Sequence, residues 1–193
     1  MISFFKKNKL FSFLIILSIL TIIIGLFMPS IISPDDKFSI TNNILQLQEE
    51  IKNHHLLYPK TILLSNSLYM ALVWILGISI IGIPIILFIY ILKVLLLSLE
   101  IFFLLSNIRK ISISIILLYV LPNIFNVLLF FVLIYYAIQF SLFLFHLLFF
   151  KQKYNISFIM KRYLKILLVL LIVNLFNSIV EVYLIPLIIQ FFI

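Results

Sequence analysis

The chain has 193 residues, 65% of them hydrophobic and 10% charged, with a formal net charge of +8 and a mean hydropathy of +1.34. A soluble domain covers its surface with charged side chains, typically about a quarter of all residues, so this composition excludes one and requires an integral membrane protein made of helices. The absence of cysteine excludes disulfides, thiolate metal sites and thiol chemistry.

In chain order, Lys6, Lys7 and Lys9 precede the apolar run "LFSFLIILSILTIIIGLFM". The run is longer than the ~7–15 residue core of a signal peptide, and no small-x-small cleavage site follows. Span 1 is therefore expected over residues 10–29 as an uncleaved signal anchor. Residues 30–66 form the one sizeable polar segment. Within it Ile44, Leu47 and Ile51 recur at helical spacing behind Ser39 and Thr41 as N-caps, which predicts a short amphipathic helix. Its bases do not outnumber its acids, so it suits the extracytoplasmic side. Two apolar blocks follow, 67–108 and 111–150, separated by Arg109-Lys110; a basic loop, 151–165, leads to a last span over 166–193.

The bases lie in short clusters beside apolar runs. This is the pattern that orients membrane proteins with their positive loops inside and attracts anionic headgroups; it does not point to nucleic acid as a partner. Lys6–Lys9 and the 151–165 loop are the richest clusters, so both are expected in the cytoplasm. The two blocks together must then cross an odd number of times. Two crossings in 67–108 and one in 111–150, with a half-helix before Pro122, give about five spans with the amino end inside; the reverse split keeps the same parity. Gly77, Gly82 and Pro84 mark the break in the first block. The whole chain, 1–193, reads as one transmembrane domain.

Polar residues within apolar runs need protein or water around them. Asn174, Asn177, Ser178 and Glu181 fall at i, i+3, i+4 and i+7, hence on one stripe of a helix. The stripe can be interhelical glue, a partner's docking face or an ion path. Lys93 is expected at the turn between spans 2 and 3 or snorkelling toward that surface, and Glu100 near the middle of span 3. A pair between Lys93 and Glu181 would bridge two spans. Pro122, Asn123 and Asn126 mark the second break, and Tyr135, Gln139 and His146 share a face. Glu50, His54 and His55 are too few and too loosely spaced to define a metal site. The chain carries none of the motifs HExxH, GxSxG, GxGxxG or P-loop, so neither an enzyme nor a cofactor is expected.

Four segments in order carry a resemblance: "WILGISIIGIPIIL" with Trp74, Gly77, Gly82 and Pro84, followed by Lys93; "YVLPNIFNVLLF" with Pro122 and Asn123; the basic "KRYLKILL"; and "NSIVEVYLIPLII" with Glu181, Tyr183 and Pro186. Together they resemble the stage II sporulation protein M family of multi-pass membrane proteins. The resemblance implies a non-catalytic scaffold of the bacterial cell membrane that holds peptidoglycan-degrading enzymes at the septum and engulfing membrane of spore formers. Its implied partners are the lipid bilayer and membrane-anchored cell-wall hydrolases, with homo-oligomerisation left open. Members follow the lysine with glycines, where this chain has Val94, Leu95 and Leu96, so close packing between spans 2 and 3 is not expected. A membrane subunit of a transporter, with Glu100, Glu181, Asn174 and Asn177 lining a polar path, is the second expectation.

Overall fold

The computed structural model describes residues 9–33, 35–39, 42, 59–106, 113–150 and 156–180. The described residues form five long helices, α1 (Lys9–Phe27), α2 (Pro59–Gly77), α3 (Gly82–Ser106), α4 (Ile113–Phe150) and α5 (Ile156–Ile179), with a 3-10 turn Met28–Ser30 closing α1. Among the described residues no strand occurs. Backbone groups in a bilayer must be paired within their own segment, which is why an apolar chain resolves into helices. By length and composition, three of these can cross a membrane: Lys9–Ser30, Gly82–Ser106 and Val120–Phe149.

The helix ends follow local chemistry. Pro59 opens α2 at a position whose N–H has no intrahelical acceptor. Pro84 sits in the first turn of α3 for the same reason, so it starts a helix and does not break one. Between them residues 78–81 form a tight turn of i→i+3 bonds, including Ser79 N–H to the Leu76 carbonyl at 3.0 Å and Gly82 N–H to the Ser79 carbonyl at 3.1 Å. A Cβ on Gly82 would run into that Leu76 carbonyl. The first block thus holds two helices, in agreement with the expected break at Gly77–Pro84.

The second block differs from expectation. Helix α4 runs through Pro122 without interruption, so no half-helix precedes it. The proline removes one rung of the backbone ladder, the bond to the carbonyl four residues back; separately, the Asn177 Nδ2 of α5 donates to the Pro122 carbonyl itself at 3.3 Å and ties α5 to α4 there.

Contact registers set the helix directions. Ser18 meets Tyr90 and Gly25 meets Ser98, so α1 and α3 run parallel. Tyr90 faces Phe131 while Glu100 reaches Asn123, so α3 and α4 are antiparallel. Phe140 stacks on Tyr163 while Asn126 bonds Asn177, which makes α4 and α5 antiparallel. Accordingly α1, α3 and α5 point one way, α2 and α4 the other. Lys9, the 78–81 turn and the start of α5 with Lys161, Arg162 and Lys165 gather at one end.

Helix α4 is the centre of the bundle and touches all four others. Phe130, Leu133, Ile134 and Ala137 on it are fully buried. Helix α3 buries every fourth residue, Gly82, Ile86, Tyr90, Val94 and Ser98, in one stripe. On α1 the matching stripe is small: Leu14, Thr21 and Gly25 are buried, and Ser18 reaches the Tyr90 hydroxyl at 2.5 Å. Small side chains let two backbones approach, which is what drives helix association when lipid is as apolar as the side chains. Close packing of α3 is therefore achieved against α1 through Gly25 and Ser98, without glycines after Lys93. The other faces of α1, with Ile16, Leu20, Ile24 and Phe27, are exposed.

Candidate functional site

The polar side chains of four helices converge inside the bundle. Lys93 stands near the middle of α3, well away from the 78–81 turn, because Gly82 begins the helix eleven positions earlier. Its Nζ donates to Asn66 Oδ1 of α2 at 3.1 Å and lies 5.0 Å from the ring centroids of both Tyr69 and Phe130. An ammonium over two aromatic faces gains about 0.5–2 kcal/mol per face as water is excluded. The lysine is thus held by amide and π-electrons at the level where a bare charge is most costly.

Glu100 sits two turns farther along α3, six residues from its end and not at the middle of the helix. Its Oε2 accepts from Asn123 Nδ2 of α4 at 3.4 Å. Asn66, Tyr69, Lys93, Glu100, Asn123 and Asn126 line one cleft of about 270 Å³ between α2, α3 and α4.

Behind the cleft lies a closed amide layer. Asn177 Nδ2 donates to Asn126 Oδ1 at 2.9 Å, and Asn174 Nδ2 to Ser67 Oγ at 3.4 Å. Asn174, Asn177 and Ser178 are all buried, so this part of the α5 stripe faces protein. The layer is not saturated: among the described residues Asn126 Nδ2, Asn174 Oδ1 and Ser178 Oγ are buried without a hydrogen-bond partner. Glu181, Tyr183 and Pro186 lie outside the described residues, as do the proposed loop helix at Ile44–Ile51, the residues Glu50, His54 and His55, and any Lys93–Glu181 pair. In the 30–66 segment Thr41 lies outside the described residues, and residues 35–39 are helical and include Ser39. Its Oγ donates back to the Asp36 carbonyl at 2.8 Å, and the capping position is Ser33, whose Oγ accepts from the Asp36 N–H at 3.2 Å.

A second cluster explains Trp74 and Gly77. The Trp74 indole stacks on Tyr163 with centroids 5.7 Å apart, Phe140 also stacks on Tyr163 at 4.4 Å, and the Tyr163 hydroxyl donates to the Trp74 carbonyl at 3.1 Å. That hydroxyl occupies the space a Cβ at Gly77 would need, and Ala137 Cβ lies 2.9 Å from it. Gly77 is therefore a contact glycine as well as the end of α2. On the third face of interest, Tyr135 is half-buried, whereas Gln139 and His146 are exposed; His146 Nδ1 bonds the Leu142 carbonyl at 2.8 Å.

Sequence reasoning left four participants unassigned. Asn66 and Ser67 stood at the seam between the polar segment and the first block, though the upstream run Ile62-Leu63-Leu64 signals that the helix begins before them. Tyr163 was hidden in a basic loop, and Gly25 in a run of aliphatic residues. Their roles come from partners far away in sequence, which periodicity cannot supply.

The cleft and the amide layer join helices and orient polar groups; among the described residues no group of three or more His, Asp or Glu side chains is placed to hold a metal ion. A search of curated proteins and a search of solved structures each returned no significant match. A family model described as stage II sporulation protein M matches residues 11–186, a range that takes in nearly all of α1, the Gly77–Pro84 turn, the polar cleft, the aromatic cluster and α5, and the chain belongs to that family of sporulation-related membrane proteins.

Proposed function

We propose that the protein is a non-catalytic scaffold of the bacterial cell membrane that holds membrane-anchored peptidoglycan-degrading enzymes at the site of wall remodelling. The family match along nearly the whole chain carries this reading. The bundle supports it in kind, because its polar side chains join helices to one another: Asn66 to Lys93, Asn126 to Asn177, Asn123 to Glu100. In this reading α1 is an uncleaved signal anchor, the basic end with Lys9, Lys161, Arg162 and Lys165 lies in the cytoplasm, and the 30–66 segment lies outside. The test is affinity purification from native membranes in mild detergent with mass spectrometry of the copurifying proteins. A peptidoglycan hydrolase or lytic transglycosylase is the expected product. An ATPase or a solute-binding subunit would overturn the scaffold.

The cleft itself favours one second reading, a membrane subunit of a transporter, because it carries Lys93 and Glu100 together within the bundle. That reading requires solute or ion flux in proteoliposomes that disappears in Glu100→Gln or Glu181→Gln.

A further inference from the structure

The cleft between α2, α3 and α4 leaves charged surface accessible at membrane depth. Lys93, Glu100 and Asn123 are each bonded within the chain, yet each is only half-buried, so part of its polar surface faces outward. On the rim Leu96 is 60% and Leu92 42% exposed, so the cleft opens sideways, out of the bundle. Helix α3 is long and apolar enough to cross a membrane, and Lys93 stands at its middle. A charged side chain partly bare to hydrocarbon is costly even when it has a partner, and water with local thinning of the bilayer relieves that cost. The polarity is one-sided. Glu100 lies six residues, about 9 Å, from the end of α3 at Ser106, and Lys93 about 10 Å deeper. Deeper still, Met70, Val73, Ile86 and Leu133 fill the space between the same three helices and expose nothing.

We infer that this cleft is a one-ended vestibule, filled by water and phospholipid headgroups drawn in from the side on which α3 ends, and that it thins the bilayer on one face of the bundle. The inference goes beyond the scaffold reading and is decided separately from it. The rim and the floor fit a phospholipid in different ways. Leu92 and Leu96 continue the acyl-chain region, while the floor offers both signs of charge to a headgroup that carries a phosphate and, in zwitterionic lipids, an ammonium. The space of about 270 Å³ holds several waters, and a bilayer thins locally at a modest cost per ångström. The other faces give no reason for thinning. Ser18 meets Tyr90 and Gly25 meets Ser98, which puts Leu20 and Ile24 of α1 at the depth of Leu92 and Leu96. Phe176 of α5 lies beside Asn177, which bonds Asn126 at the level of the cleft. Ile24 is 58% and Phe176 69% exposed, as open as Leu96, and no charged side chain accompanies them at that depth.

The test uses the full chain, purified and reconstituted alone into vesicles of phosphatidylethanolamine and phosphatidylglycerol. Single cysteines replace Leu92 and Leu96, with Leu20→Cys, Ile24→Cys and Phe176→Cys as controls of equal depth. Each is challenged with a small membrane-impermeant methanethiosulfonate, which reacts with a hydrated thiolate. Leu92→Cys and Leu96→Cys are expected to react about tenfold faster than the controls or more, and only with reagent on the side that labels Ser33→Cys. A nitroxide at Leu96 is expected to be relaxed by nickel carried on a chelating lipid headgroup, and nitroxides at Ile24 and Phe176 are not. Glu100→Leu removes polar floor and slows both cleft cysteines. Val127→Phe narrows the cleft without touching a charge and slows Leu92→Cys, the deeper of the two, so the inference is decided even if Glu100→Leu does not fold. Cleft cysteines no faster than the controls, reaction from both sides of the membrane, or a nitroxide at Leu96 blind to the headgroup nickel would each overturn the vestibule. Protection of Leu96→Cys in native membranes but not in vesicles would show a protein seated there and overturn lipid as the occupant. The hydrolase that does or does not copurify changes none of these readings, so the scaffold and the vestibule fail separately.

Discussion

At the scale of single residues, polar atoms inside this bundle are used twice, once to satisfy a backbone or side-chain group and once to join helices. Asn177 is the clearest case, donating both to Asn126 Oδ1 and to the Pro122 carbonyl. Asn177→Leu removes two donors and leaves the Asn126 amide with less than it has. The expected loss is about 1–3 kcal/mol, measured as a shift of the unfolding midpoint in mixed micelles. Gly77→Val tests the opposite kind of constraint, a space that must stay empty. The Tyr163 hydroxyl and Ala137 occupy the position of any added side chain, so overpacking of about 1–3 kcal/mol is expected. The double variant Gly77→Val with Tyr163→Phe recovers part of it, because the phenolic oxygen is the nearest obstacle.

At the scale of elements, proline changes meaning with position. Pro84 lies in the first turn of α3, where a missing N–H costs nothing, whereas Pro122 lies inside α4. Pro122→Ala is expected to keep α4 helical and to leave stability unchanged or higher, since alanine restores an N–H and the helix is already continuous. Circular dichroism and the unfolding midpoint check this; a loss above about 1 kcal/mol would mean that the ring's packing outweighs the missing donor. The α1–α3 pair is the other element-level device. Gly25 places its Cα against Ser98, where an added Cβ would stand 2.5 Å from the serine Cβ. Gly25→Leu should push α1 off the bundle, and its expected signature is cleavage of the loosened α1–α2 connection by added protease while α2–α5 stays resistant.

At the scale of the whole molecule, helix direction makes a topological prediction. Lys9 and the start of α5 share one end, and the 3-10 turn after α1 lies at the other. The chain has no cysteine of its own, so single cysteines report cleanly. Lys9→Cys and Ser157→Cys are expected to label from the same side of the membrane with an impermeant maleimide, and Ser33→Cys from the opposite side. Labelling of all three from one side would refute the arrangement. The same arrangement puts Lys93 at the middle of α3 and Glu100 nearer its far end.

Composition determined the class of this protein, because a chain with so few charges can satisfy its surface only in lipid. Local pattern determined the anchor helix, the paired helices on either side of Gly77–Pro84 and the polar stripe of the last span, since each depends on neighbours within a few turns. The family resemblance was carried by short strings and matched the chain from residue 11 to 186. Tertiary structure alone decided that Pro122 is spanned, that Lys93 sits under two aromatic rings and not at a turn, and that Gly25 with Ser98 supplies the close contact. It also decided that Asn66 belongs to the polar cleft and Tyr163 to the aromatic cluster. The reason is physical: a donor, an empty space or a charge has no meaning until a partner distant in sequence stands opposite it, and only packing brings that partner there.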